Sequence, residues 1–447
     1  MSIFLRKSIY KMIYLLFLFC LFEVILSYKL GRRSLIQPSF LVTSIFTLSS
    51  FFYIINIDFV GVDVSIYTLI VITLGLFGWI VGEFLIGLRL QKSSLVNEKV
   101  CIPFIVSRKM IYLACAISSV VVILDFQNFM SIGRYFGSDN IFASYAIVRG
   151  YSIDVEGTIA DLDKPRYLKI LDVYIVAQNY LLLYYYVYNV VICSYKKCKI
   201  YILPFVLALP TLFFTTARTA FIEPVLFVGA ISIMMNYSKT SVRRLNMRYI
   251  KITFFILFIS VIVFKITGDI RGGAFLDNGE GLVIDMTSLN RDLCIYLSSP
   301  IRGLDVFLTG ENKENMVFGG YTFAGLYDIL RFVGFDIQSD NIIVQQNFQF
   351  GNYYSNVYTG FKAVIQDFTV VALLPYSILL GYICGYFYYS FKRGDFSQNV
   401  IKGVVLGRMY YAIVLFYFSN NFHMYTQVVF IIFLVFLFFL HKIILNR

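Results

Sequence analysis

Apolar residues fall in long runs separated by short polar breaks, from one end of the chain to the other. A hydrocarbon layer of about 30 Å takes about 20 such residues wound as a helix. The pattern predicts spans at about Met12 to Ser27, Pro38 to Ile57, Val64 to Leu88, Met110 to Phe126, Tyr167 to Cys193 and Ile200 to Thr215. Five more are predicted at about Phe221 to Asn236, Tyr249 to Thr267, Asp367 to Ser390, Val400 to Ser419 and Thr426 to Leu445. The first is the shortest and contains Glu23, so it is expected to tilt or to lie partly in the interface. The fold class that follows is an all-α polytopic membrane protein of about eleven transmembrane helices.

The polar breaks alternate in charge. Lys29/Arg32/Arg33, Lys92/Lys99/Arg108/Lys109, Lys196/Lys197/Lys199, Lys239/Arg243/Arg244/Arg248 and Lys392/Arg393 occupy one set, which the positive-inside rule assigns to the cytoplasm. The other set carries Asp58 and Asp63 in one short loop, and more acids than bases between Thr267 and Asp367. It is expected outside, with the N-terminus outside and the C-terminus inside. Arg6, Lys7 and Lys11 violate that assignment.

Two outward segments are long, Gln127 to Arg166 and Gly268 to Ile365. The chain therefore divides into helices over 1–267, a large external loop over 268–365 and a final helical group over 366–447. Within the large loop, the spacing of Leu289, Leu293 and Leu297 predicts a surface amphipathic helix over Thr287 to Leu297. A second short helix is expected over Tyr321 to Phe332, then an aromatic, Asn-rich stretch over Phe348 to Tyr358. The absence of an internal repeat and the single dominant loop argue against a transporter built from duplicated halves.

Composition agrees with the pattern. Only 14% of residues are charged, against about a quarter in soluble domains. The net charge of +12 raises the question of nucleic acid. The basic residues sit in short loops and form no continuous stripe, so no nucleic-acid partner is expected. The seven cysteines lack metal-ligand spacing and no disulfide is expected. With His423 and His441 as the only histidines, no metal site and no cofactor are expected.

Candidate chemistry lies on the outward side. Thr215-Thr216-Ala217-Arg218-Thr219 puts an arginine between two apolar runs, where it either meets an anionic group or reaches lipid phosphates or Glu223. Arg271 follows a span in a Gly-rich entry, Gly268-Asp269-Ile270-Arg271-Gly272-Gly273. Lys265, Arg291, Arg302 and Arg331 extend this basic set within acidic surroundings, as anion sites or as surface ion pairs. Phe348, Phe350, Tyr353, Tyr354 and Tyr358 alternate with Asn347, Asn352 and Asn356. Rings and amides together suit a glycan, and rings alone suit interfacial anchoring. Asp367, at the outer end of a span, is either a proton acceptor or a helix-start acid favoured by the dipole. His423 occupies the last outward turn, as a base, a hydroxyl binder or an ordinary loop residue. The Gly78/Gly82 and Gly381/Gly385 pairs are read as small-residue contacts between helices.

Several of these features stand in an order that resembles a family. They are Gln37-Pro38-Ser39 at the entry to a span, the Thr-Thr-Ala-Arg-Thr turn, Arg271, Gly319 to Gly325 (Gly-Gly-Tyr-Thr-Phe-Ala-Gly), and Asn356-Val357-Tyr358-Thr359 ahead of Asp367-Phe368. In layout and order the chain resembles Wzy-type O-antigen and capsule polymerases over most of its length. The resemblance implies a GT-C-like, metal-independent glycosyltransferase in a bacterial cytoplasmic membrane, with its site facing the periplasm. Its substrate would be undecaprenyl-diphosphate-linked oligosaccharide and a further partner a chain-length regulator. By position, Arg218 and Arg271 would hold the donor diphosphate, and Arg302 or Arg331 the second one. Arg291, Tyr353, Asn356 and Tyr358 would contact substrate, and Asp367 and His423 would orient or deprotonate the acceptor. An O-antigen ligase and a lipid-linked oligosaccharide flippase are the alternatives.

Overall fold

The computed structural model describes residues 11–31, 34–91, 101–154, 164–215, 218–239, 289–310, 318–335, 348–350, 353–393 and 395–445. In hydrocarbon the backbone must satisfy its own hydrogen bonds, and the apolar runs do so as helices. Among the described residues, eight helices are long and apolar enough to cross a membrane, and two shorter apolar ones cover Ile222–Tyr237 and Val428–Ile444. These ten match ten of the eleven predicted spans in order. The remaining one, Tyr249 to Thr267, lies outside the described residues, as does Arg271.

The chain forms two compact units. The first is assembled from 1–96, 290–393 and 409–428. It contains α1 (Lys11–Leu30), α2 (Pro38–Ile55) and α3 (Ile66–Gln91). The backbone N–H groups of Met12 and Ile13 both donate to the Asp63 carboxylate, at 3.0 Å each. An acid at that position satisfies orphan donors and opposes the positive end of the helix dipole. The first helix is thus a full 20 residues, anchored at the same end as the short acidic loop. Ser27 Oγ and Thr43 Oγ1 join α1 to α2 at 3.2 Å.

The same unit continues with α9 (Leu289–Thr309), α10 (Ala324–Phe332), the strands β1 (Phe348–Phe350) and β2 (Tyr353–Ser355), α11 (Phe361–Phe368) and α12 (Leu373–Arg393). The strands pair antiparallel, with Phe348 opposite Ser355 and Phe350 opposite Tyr353. The part of this region up to Ile365 was expected as a large external loop, and several of its described residues are buried within the unit. Ser298, Ser299 and Leu304 of α9 are completely buried. Ser65 N and Thr68 Oγ1, at the start of α3, donate to Asp305 at 2.7 and 2.8 Å. Helix α9 is also about twice the expected length, because Pro300 is accommodated inside it.

Helices α3 and α12 pack through the predicted glycine pairs. A Cβ on Gly82 would lie 2.0 Å from the Ile378 carbonyl oxygen, and one on Gly381 2.2 Å from that of Trp79. Hydrogen alone fits, so the two backbones touch.

The second unit comprises 97–289, 394–408 and 429–447. It holds α4 (Arg108–Tyr135), α5 (Ile141–Asp154), α6 (Arg166–Val191), α7 (Leu203–Phe214) and α8 (Ile222–Lys239). The start of α13 (Val400–Val414) and most of α14 (Val428–Leu445) also belong to it. Helix α4 runs nine residues past the expected end at Phe126. The polar cluster Asp125-Gln127-Asn128 does not stop it, because Asp125 is paired with Lys164. Asn189 exchanges two 2.8 Å hydrogen bonds with the backbone of Phe104, which pins the extended segment before α4. Glu223, a sequence-level partner for Arg218, accepts a 2.6 Å hydrogen bond from Arg408, and that guanidinium lies over the rings of Tyr180 and Phe433. The sulfurs of Cys101 and Cys193 lie 2.9 Å apart, in hydrogen-bond contact and not in a disulfide.

Candidate functional site

In the first unit, α11 is short because Thr369 stops it. Thr369 has φ +69°, a left-handed conformation that a β-branched residue rarely adopts. The membrane-spanning helix begins only at Val370. Asp367 is therefore not the first-turn acid of a span, as the sequence suggested. It sits in the last turn of α11, where the helix dipole opposes a negative charge. Two backbone N–H groups hold it there. Tyr321 N donates to both carboxylate oxygens at 3.1 and 3.2 Å, and Thr322 N donates at 2.6 Å. Burial pushes the Asp367 carboxyl above its ordinary range, while the hydrogen bonds from Thr322 and Tyr321 pull it down.

Beside this junction lies a cavity of about 40 Å³, room for a water or a hydroxyl group. Tyr321, Tyr358, Thr359, Lys362, Gln366, Ser419, Asn420 and His423 line it. Its walls come from three segments far apart in sequence, all of the first unit. Gly325 makes their approach possible, since a Cβ there would meet the His423 carbonyl oxygen at 2.7 Å and Thr426 Oγ1 at 2.5 Å. Gly303 likewise lets α9 lie against Val357 and Phe348.

The lining is polar and incompletely satisfied. Thr359 Oγ1 and Gln366 Oε1 are buried and receive no hydrogen bond from the protein. Such orphaned groups are rare in folded chains and mark places where something else binds. The Lys362 ammonium stands 3.7 Å from the centre of the Tyr358 ring and 5.5 Å from that of Phe307. Those two faces help to hold the cation in place. Burial pushes the Tyr358 phenol up to about 12, and the neighbouring Tyr321 adds to the shift. Tyr358 therefore offers a proton to a hydrogen bond and does not act as a base. His423 Nδ1 is 2.6 Å from the Asn420 carbonyl oxygen, which can only accept. Nδ1 must carry the proton, leaving Nε2 as the acceptor in the neutral ring. Asn420 is in turn held by Tyr376, its Nδ2 donating to the phenol oxygen at 3.0 Å.

The sequence-predicted residues divide accordingly. Tyr358 and His423 line the cavity, and Asp367 is tied to Tyr321 and Thr322 beside it. Asn356 is half-buried two residues away. Tyr353 opens β2 and Arg291 lies near the start of α9. Arg302 is engaged by Asp305 at 2.6 Å, an i, i+3 pair within α9 that shields a buried carboxylate. Arg331 closes α10 and is half-buried. Arg218 opens the 3₁₀ turn Arg218–Phe221 in the second unit. Phe348, Phe350 and Tyr358 are buried within the first unit and so are not interfacial anchors.

Lys362, Gln366 and Tyr321 were not singled out from sequence. Lys362 left a signal, being the only Lys or Arg between Arg331 and Lys392. Among the described residues, no group of three His, Cys, Asp or Glu is placed to hold a metal ion.

Fold and cavity together define a multi-pass, helical membrane protein with a small polar site at the junction of a short helix and a span. Comparison with protein-family models, curated proteins and solved structures gives no match for this chain.

Proposed function

We propose that the chain is a polysaccharide polymerase that joins polyprenyl-diphosphate-linked oligosaccharide units at the outer face of a bacterial cytoplasmic membrane. One observation carries this reading. Three separated segments, two of them marked by the family resemblance (319–325 and 356–359) and the third bearing His423, converge on a single hydroxyl-sized polar cavity. A glycosyl transfer must seat and deprotonate one acceptor hydroxyl, and the cavity offers an acceptor nitrogen, a cation and unpaired amide and hydroxyl oxygens for that purpose.

In this reading the acceptor oxygen attacks the anomeric carbon of the donor glycan, and the bond from that carbon to the diphosphate oxygen breaks. The electron pair leaves with the lipid diphosphate, and the acceptor's proton passes to His423 Nε2. Asp367 holds the backbone of Tyr321 and Thr322, which positions one wall of the cavity. Lys362 supplies positive charge. Arg218 and Arg271 are the candidates to neutralise the departing diphosphate, since guanidinium groups grip phosphate bidentately and stay protonated. Arg302 or Arg331 is the candidate for the second diphosphate.

The experiment is deletion and complementation in the source bacterium. Deletion is expected to leave lipid A core bearing one repeat unit and no ladder. Long chains unattached to core would instead indicate a ligase, and complete absence of repeat on the core a flippase. Complementation with His423→Ala is expected to lower ladder synthesis by roughly 10²–10⁴-fold at equal membrane abundance. Complementation with Arg218→Ala or Arg271→Ala is expected to abolish it. A normal ladder from all three variants would sink the proposal.

A further inference from the structure

The second unit contains a larger cavity, of about 290 Å³, which the proposed reaction does not use. It lies where the end of α4, the first turns of α6 and the end of α7 come together, with Val148 of α5 on its rim. Its floor is an ion triad. Lys164 pairs with both Asp125 and Asp172. Asp125 is 4% exposed, with its Oδ1 against the Lys164 ammonium. Asp172 Oδ1 receives no hydrogen bond from the protein. Asn128, Thr211 and Thr215 add an amide and two hydroxyls to the lining. Phe129 and Phe214, with ring centres 5.3 Å apart, supply an apolar wall.

Ionisable groups at the end of membrane-spanning helices are costly and persist where they serve a ligand or a pathway. The chemistry of this cavity selects the ligand class. Two carboxylates against one ammonium, already shared between them, leave a net negative lining. Phosphates, diphosphates and acidic sugars are repelled. The Asp172 oxygen without a donor calls for an O–H or N–H group, and the Phe214 ring calls for a C–H face. A neutral sugar ring provides both, and the volume holds one sugar residue with its substituents.

We infer that the Asp125–Lys164–Asp172 cavity is a binding subsite for an uncharged sugar residue, gripping its hydroxyls through Asp172 and the Asn128, Thr211 and Thr215 side chains and its C–H face through Phe214. In so naming a glycan as ligand, the inference rests on the proposed function. It assigns the neutral part of the substrate to this cavity and the diphosphate elsewhere.

The test is saturation-transfer NMR on the full-length protein in lipid nanodiscs. The probes are the methyl glycosides of glucose, galactose, mannose and N-acetylglucosamine, with methyl glucuronide and inorganic pyrophosphate as charged competitors. At least one neutral glycoside is expected to bind, and neither competitor to displace it. Asp172→Asn should weaken that binding tenfold or more. Val176→Phe, which fills the cavity from its apolar side and leaves the triad intact, should do the same in a protein whose thermal unfolding is unchanged. The inference is overturned if no neutral glycoside binds, if Val176→Phe leaves binding as it was, or if glucuronide or pyrophosphate displaces the sugar. Sugar binding in a protein that makes no ladder in cells would count against the polymerase reading alone. Ladder synthesis without sugar binding here would count against the subsite alone.

Discussion

Asp367 shows how a single side chain is set by its surroundings. In the sequence it looks like the first acid of a span, a position the helix dipole favours. In the structure it closes a short helix, where the dipole is against it, and its stabilisation comes from the Tyr321 and Thr322 backbone. Because burial raises its pKa from the ordinary 3.8, the folded protein holds this proton at higher pH than the unfolded chain does. The stability it contributes is therefore present below pH 3.8 and is lost as pH rises from there through the raised folded value. Asp367→Asn should remove that component, so that the melting temperature in detergent falls less over the same acidic range than it does for the parent. Equal pH slopes in the two proteins would show that the carboxyl titrates as it does in water. His423 and Lys362 stand on the same footing. His423 was a candidate from sequence and Lys362 was not, yet each acquires its role from what it touches, His423 from the Asn420 carbonyl that fixes its tautomer and Lys362 from the ring faces that hold it.

The elements are decided by length and apolar run, and their contacts by small residues. The α3–α12 contact is the clearest case, because Gly78, Gly82, Gly381 and Gly385 were legible as packing glycines from their spacing alone. Gly82→Val would force a side chain into the Ile378 carbonyl, a backbone atom that cannot step aside. The expected cost is about 1–3 kcal/mol, read as a lower unfolding temperature. Gly229 of α8 makes the contrast, since a Cβ there meets nothing within 4 Å. Gly229→Ala should leave the protein unchanged or stabilise it by roughly 0.5–1 kcal/mol, as the unfolded chain loses freedom. Should the two substitutions behave alike, close helix packing is not what these glycines provide. Element ends were less legible. Asp125 and its polar neighbours read as the end of α4, whereas the helix continues to Tyr135 because Lys164, from beyond the next helix, compensates the charge. Thr369 gave no warning of the break it makes.

For the whole molecule, the direction of two packed helices constrains the number of crossings. Along α3 and α12 the contacts advance together, from Gly78 with Ser377, through Gly82 with Ile378, to Ile86 with Gly385. The two helices run the same way, so an odd number of crossings must separate them. Among the described residues α4, α6, the segment Lys196–Phe214 and α8 make four. The predicted span over Tyr249 to Thr267 would make five. In a cysteine-free background, Ser241→Cys should then react with a membrane-impermeant maleimide only after permeabilisation, and Asp277→Cys in intact cells. Labelling of both from one side would remove that crossing. The sequence by itself determined the membrane class and the position of ten helices. Both depend only on local composition and on the thickness of a bilayer. Tertiary structure alone decided that Tyr321, Thr359, Lys362 and His423 share one cavity, that Arg302 belongs to Asp305, and that Asp125, Lys164 and Asp172 meet. These are contacts between segments far apart along the chain, and periodicity within a segment carries no record of which distant segment it will face.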